Sequence, residues 1–258
     1  MGVSILGLST LEDSPTSSQE NDAAGLNIKW SDCNFLGGDL SRLAIGYADS
    51  LSKRWSVSNR VAFCVVSAEE MMKMVVESYP GEVELVMIQF PTPFKLKKDE
   101  EEVDNANERM HRQDGMENRK KGNSQLPSNV KNGFMVTADL LSIVHAAVQR
   151  SNGKVLLQSN CEDVAVEMKR MACANSNFRS SSVSKPLLDH DNEKNNVNTK
   201  IRKRTKDWIR LNKGNIERAE GMSWSAIPLV PRKGATETEV SCMLNGTPIH
   251  RSLLEAAN

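Results

Sequence analysis

No stretch of the 258-residue chain is apolar for long enough to cross a membrane as a helix. Net charge is absent too: 33 Lys and Arg oppose 33 Asp and Glu, so contact with a nucleic acid would come from local patches and not from a global field. Cysteine is sparse and unpaired in pattern. The five are Cys33, Cys64, Cys161, Cys173 and Cys242, an odd number with no Cys-x-x-Cys among them. This usage predicts free thiols in an intracellular, reducing compartment, with Cys64 and Cys161 as small core residues. His111, His145, His190 and His250 fall at no metal-ligand spacing, so no metal site is expected. The first residues, MGVSILGLSTLEDSPTSSQEND, put no basic segment before their apolar run and place acids early. That pattern makes a poor secretory signal and argues against an organelle transit peptide. Leu6 stands where a myristoylation motif needs Ser or Thr. Asn245-Gly246-Thr247 fits a glycosylation sequon but reads as a turn.

What is present is uneven. Hydrophobic residues make up 39% and mean hydropathy is −0.45, so one part of the chain should pack while another stays solvated. Residues 1–33 are a divergent N-terminal segment, and a domain is expected over 34–254. "NFLGGDL" (Asn34–Leu40) reads as a short strand ending at Asp39. Leu40, Leu43, Ala44, Tyr47, Ala48, Leu51 and Trp55 then recur at helical spacing. "RVAFCVV" (Arg60–Val66) has the length and apolarity of a strand, and Ser67-Ala68-Glu69-Glu70 is a capping box opening a Met-rich helix to about Tyr79. Its methionines read as core filler. "VELVMIQF" (Val83–Phe90) reads as a buried strand stopped by Pro91-Thr92-Pro93. A helix over Phe134–Arg150, a strand over Lys154–Gln158, a helix over Glu162–Ala172, a second capping box at Thr236–Glu239 with its stop at Asn245-Gly246, and a strand over Pro248–Leu254 complete the pattern. Two polar tracts, at about 95–132 and 175–207, read as long insertions without structure of their own. Strands alternating with helices predict an α/β fold around a mostly parallel sheet. In such sheets ligands bind beyond the carboxyl ends of the strands. Asp39, Ser67-Ala68 and Phe90–Phe94 fall at that edge.

Five stretches in register resemble the tRNA (guanine-N7)-methyltransferase family, and its plant-type members most. They are "NFLGGDL", the Ser67-Ala68 pair, "YPGEVELVMIQFPTPFK" (Tyr79–Lys95), "GKVLLQSNCEDVAVEMK" (Gly153–Lys169) and "GATETEVSCMLNGTPIHRSL" (Gly234–Leu253). Their counterparts are the family's Asn-Tyr/Phe-Leu-Gly-Leu-Glu strand, its adenine-side Asn/Asp-Ala pair, its Pro-Asp-Pro tetrad with lysines following, its Gln-Ser-Asp segment, and its Thr-Glu-Arg-Glu helix with a Gly-x-Pro-x-x-Arg strand. The resemblance spans Asn34 to about Met171 and Trp224 to Leu254. It implies a Rossmann-like class I methyltransferase sheet, S-adenosyl-L-methionine as cofactor, and N7-methylation of a guanine in tRNA. By the same carry-over Asp39 meets the cofactor ribose, Ser67 and Ala68 flank the adenine, Thr92 takes the catalytic position, Lys95 meets phosphate, and Asn160, Thr236 and Glu239 face the substrate. Lys97 and Lys98 follow Lys95 as further phosphate contacts. Each has a plainer alternative, in which Asp39, Ser67, Asn160 and Thr236 cap helices and the lysines belong to a solvated loop.

The departures matter chemically. Guanine N7 has an in-plane lone pair and no proton, so the site needs alignment and negative charge near a ring becoming positive, not a general base. The family's carboxylate between the prolines is Thr92 here, which offers a hydrogen bond but no charge. Losing one such contact costs on the order of 10²–10³ in rate. The Asp of Gln-Ser-Asp is Asn160, the Arg of Thr-Glu-Arg-Glu is Thr238, and acids interrupt the basic run after Lys95. The family's first strand and Gly-x-Gly loop have no counterpart, so the sheet is expected to be incomplete at its start, with Val3–Leu8 as the strand that fills the slot beside Val83–Phe90. A second reading follows from the same departures: a non-catalytic homologue that binds tRNA or a partner subunit, or an inactive truncated product.

Overall fold

The computed structural model describes residues 2–11, 26, 28–91, 135–182, 186–187 and 218–257. In chain order these form α1 (Val3–Ser9), a 3₁₀ turn (Trp30–Asp32), β1 (Phe35–Asp39), α2 (Arg42–Arg54), β2 (Val61–Val65), α3 (Ala68–Ser78), β3 (Leu85–Gln89), α4 (Ala138–Gln149), β4 (Lys154–Ser159), α5 (Glu162–Asn175), β5 (Phe178–Ser180), β6 (Pro186–Leu187), β7 (Gly221–Ser225), a second 3₁₀ turn (Arg232–Gly234), α6 (Glu237–Leu244) and β8 (His250–Ala256). The fold is mixed α/β, with two sheets in place of one.

β1 and β2 pair in parallel as a two-stranded sheet, with Phe35 opposite Val61 and Asp39 opposite Val65. The second sheet runs β3-β4-β8-β7-β6, with β5 also on β8. Only β3 and β4 are parallel there; β8 is antiparallel to β4, and β7 and β5 are antiparallel to β8. The mostly parallel sheet expected from the sequence is therefore mixed. Strand period explains which side chain enters which layer. Val86, Ile88, Val155, Leu157 and Leu254 point to the layer built by α3, α4 and α5. Leu85, Met87, Leu156 and Leu253 point to the opposite layer, where Leu6, Leu8, Leu26, Ile28, Trp30, Leu229 and Val230 gather with Phe35 and Val61.

Several expectations need correction. Val3–Leu8 is a helix and pairs with no strand. Its polar side chains satisfy carbonyls one helical turn back, as Ser9 Oγ does to Leu6 O and Thr10 Oγ1 to Gly7 O, both at 2.8 Å. Ser4 Oγ donates to Gly234 O, which docks the helix on the second 3₁₀ turn. The closeness of that contact requires glycine at position 7, since a Cβ there would sit 1.7 Å from Lys233 O. β3 was expected to be buried; it is an edge strand with every residue half-buried. The helical face of Leu40, Leu43, Tyr47 and Trp55 is turned to solvent, Leu43 at 86% exposure, because α2 packs through Ala48, Leu51 and Ser52 instead. The helix expected from Phe134 begins at Ala138, where the Thr137 side chain accepts from Leu140 N–H. Part of the tract read as unstructured from 175 forms α5's end, β5 and β6, while 95–132 lies outside the described residues. Cys242 is buried, and Cys64 and Cys161 are only half-buried. α1 and Trp30 join a core shared with both sheets.

Arg60 ties that segment down. Its guanidinium donates to the carbonyls of Ser9 at 3.1 Å, Cys33 at 3.0 Å and Trp30, and lies 5.7 Å from the Phe35 ring centroid. A lysine ammonium has no planar fork to serve three carbonyls from one position. Arg60→Lys is expected to lower unfolding free energy by about 2 kcal/mol, read as an earlier urea midpoint with Trp30 fluorescence reporting the loss.

Candidate functional site

The carboxyl ends of β3 and β4 and the adjoining ends of β7 and β8 bring four polar side chains into one row. Gln89 lies opposite Gln158, Gln158 opposite Arg251, and Arg251 opposite Ser225. Residues opposite one another point to the same face, so all four stand at the rim of the Leu156–Leu253 layer. α6 is laid over this row. Its Glu239 is 1% exposed, and Oε1 accepts from Arg251 Nη2 at 2.8 Å and Nε at 3.3 Å. Among the described residues, Gln158 Oε1 and Nε2, Gln89 Nε2 and Glu239 Oε2 have no hydrogen-bond partner. Buried polar atoms left so are costly, which makes this cluster at a strand edge the candidate site.

Backbone strain sits beside the row. Phe90 has φ 50°, a region that bulky residues rarely enter and that costs about 1–3 kcal/mol. Its N–H still donates to Gln158 O at 2.7 Å, and the ladder stops at the buried Pro91, which has no donor.

The sequence-selected residues fall into three groups. Asn160 and Glu239 lie on neighbouring elements: Asn160 follows β4 near the Cys242 thiol, which stands one turn along α6 from Glu239. Burial raises that thiol, and Asn160 works against the rise. Thr236 caps α6, its Oγ1 accepting from Glu239 N–H at 3.0 Å. On the other sheet, Asp39 ends β1 and its Oδ1 accepts from Ser41 N–H at 2.7 Å, fixing the turn into α2. Ser67 is engaged in full as a cap: its Oγ accepts from Glu70 N–H at 3.2 Å, and its Oγ–H and N–H reach Glu70 Oε2 at 2.9 and 3.1 Å. Those bonds hold the Glu70 carboxyl below its ordinary value. Ala68 packs into the core behind it. Thr92, Lys95, Lys97 and Lys98 lie outside the described residues.

Gln89, Gln158 and Arg251 were not singled out as site residues. The signal was a Gln at the matching end of two apolar strands, "VMIQ" and "VLLQ". On the opposite face, His250 lies opposite Ser159 and is 2% exposed. Burial pushes its imidazole down to about 4, Glu162 opposes that, and Arg251 and Arg218 add to it. Among the described residues no group of three His, Cys, Asp or Glu could hold a metal, and no helix is long and apolar enough to cross a membrane.

A cofactor of the nucleoside kind finds a partial fit. Asp39 Oδ2 takes part in no hydrogen bond among the described residues, which leaves it able to accept from a ribose hydroxyl. Ser67 has nothing left to offer. Gly37 and Gly38 are no cradle, because Cβ atoms there would meet Phe63 Cδ1 at 2.8 Å and Met71 Sδ at 2.7 Å. The chain matches no family model, and comparison with characterised proteins finds no match.

The buried imidazole carries a pH prediction. The unfolded chain takes up a proton near 6.5, whereas the folded chain holds His250 neutral down to about 4. Its contribution is thus intact above pH 6.5 and is lost as pH falls through that window, by about 3 kcal/mol in all. Urea unfolding of wild type and His250→Gln is expected to show a stability difference that shifts by that amount between pH 7 and pH 4. A difference independent of pH would refute it.

Proposed function

We infer that the chain is a methyltransferase-like protein of the Rossmann type, directed to a guanine of tRNA, with S-adenosyl-L-methionine as cofactor and transfer to guanine N7 as its reaction. The observation that carries this reading is that Asn160, after β4, and Glu239, on α6, both stand beside the Gln158–Arg251 row. They come from segments far apart in sequence, both resemble substrate-facing segments of the tRNA (guanine-N7)-methyltransferases, and they adjoin the same polar row beside the strained Phe90-Pro91 turn. In this reading Asp39 holds the ribose, Thr92 stands beside the reacting base, Lys95 meets phosphate, and the paired Gln89 and Gln158 amides read a polar ring edge. Guanine presents an acceptor at O6 and donors at N1 and N2, which amide N–H and C=O groups complement while the N7 lone pair stays free to accept the methyl group.

A second reading is favoured by two observations. Ser67 spends its hydrogen bonds on capping α3, and no described strand links β1 to β3. Together with Thr92 in place of a carboxylate, these favour a non-catalytic homologue that binds tRNA or a partner subunit.

Calorimetric titration with S-adenosyl-L-methionine separates the two. The enzyme reading expects a Kd tighter than about 1 mM. It also expects the heat to vanish in Asp39→Asn, which keeps the bond to Ser41 N–H but removes the charge. Absence of heat with the wild-type chain leaves only the binding reading. With cofactor binding in hand, Thr92→Asp is expected to raise methyl transfer to unmodified tRNA, by up to about 10²-fold. Equal rates would show that position 92 no longer bears on the chemistry.

A further inference from the structure

α6 is seated on the sheet by its polar side. Its two buried residues are Glu239 and Cys242, whereas its large apolar side chains Val240, Met243 and Leu244 are 45%, 57% and 82% exposed. A surface helix normally docks the other way round, apolar face inward. Hydrophobic burial therefore contributes little to holding α6 down. On its outer side the helix borders an open cleft of about 440 Å³, shared with Val3 of α1. At eight residues it is also too short to persist on its own.

The contact that seats it is the buried pair Glu239–Arg251, with Oε1 2.8 Å from Nη2. Such a pair recovers little beyond its own desolvation. Beside it lie atoms that this arrangement leaves without partners among the described residues: Glu239 Oε2, and both amide atoms of Gln158, which stands opposite Arg251. Water satisfies them once α6 lifts, so the closed state carries a cost that the open state does not. The far end of the helix leaves room for movement. Gly246 has φ 62°, and a Cβ built there meets no atom within 4 Å, so nothing packs on that joint. Arg251 is the cation of the row, and Glu239 fills its planar fork with a carboxylate of this same chain. A phosphate oxygen meets the same donors equally well.

We propose that α6 is a lid closed by its own carboxylate: Glu239 on Arg251 shuts the polar row, and lifting α6 frees the Arg251 guanidinium and the Gln158 amide for a phosphate-bearing guanine nucleotide. What enters rests on the reading of this row as the substrate site; the opening itself does not.

Cys242 reports the opening, because its thiol is buried while α6 is down. The test is its alkylation by iodoacetamide on the full chain, located by peptide mapping, across urea concentrations below the unfolding transition. Lid opening exposes little surface, so the wild-type rate is expected to be nearly independent of urea. Glu239→Gln, which removes the charge and keeps the shape, is expected to raise the rate about 10-fold with the same flat urea dependence. A ligand that binds only the open form draws α6 off the row. Guanosine 5′-monophosphate at about 10 mM is therefore expected to speed wild-type alkylation about 10-fold. A rate that climbs steeply with urea would overturn the proposal, because Cys242 then reacts only through global unfolding. Equal rates in wild type and Glu239→Gln would overturn it, and so would alkylation that the nucleotide slows or leaves unchanged. Failure of the methyltransferase reading is told apart from these outcomes by the absence of heat with S-adenosyl-L-methionine.

Discussion

Arg60 is the residue on which the two sheets' common framework depends. It precedes β2, yet its guanidinium is spent on carbonyls of three other places: the end of α1, the 3₁₀ turn and Cys33 ahead of β1. Those segments bring Leu6, Leu8, Trp30 and Phe35 onto Leu156 and Leu253 of the larger sheet. No backbone hydrogen bond joins β1 to β3 among the described residues, so the link between the sheets is made of side chains. Hydrophobic packing is non-directional, and it fixes the relative placement of two sheets less strictly than a ladder of hydrogen bonds does. The planar, always-charged fork of Arg60 supplies the direction that the apolar cluster lacks.

Much of this was legible in the residues because it rests on local rules. The capping boxes at Ser67 and Thr236 start α3 and α6 where their side-chain chemistry places them. The apolar runs of β2, β3 and β4 fall within two residues of their expected limits. What failed rests on tertiary context. "VSILGL" is apolar enough for a strand, but Gly7 fits against Lys233 O and its serine and threonine hydroxyls bond back along the turn, which suits a helix. The seven apolar positions from Leu40 to Trp55 have a helical period on two faces, and periodicity alone does not say which face finds a neighbour. Antiparallel β7 and β5 carry too few apolar residues to stand out from the polar tract around them.

At the candidate site, the strand ends at Asp39, Phe90 and Asn160 were readable, and so was the start of α6, because each is marked by a cap, a proline or a change of pattern. Register was not readable. Gln89, Gln158 and Arg251 become neighbours only when the pairing of β3, β4 and β8 is known, since a one-residue slip would turn any of them to the other face. Arg251 also resolves what Glu239 does. Apart from each other the two would be charges in an apolar layer; together they are mutually satisfied through Oε1, with Oε2 left over. Burying such a pair gains little net stability, because desolvation offsets the attraction. Its effect here is positional: it holds the α6 amino end over the sheet edge.

The same accounting bears on whether the site is complete. A polar row with unpartnered amides and a strained Phe90 each work against folding. Asp39 ends β1 on the small sheet, while Gln89 ends β3 on the larger one, with Phe90 following it. Any ligand that touches both must span a gap that no described backbone bridges, so its affinity carries the cost of fixing the two sheets relative to each other.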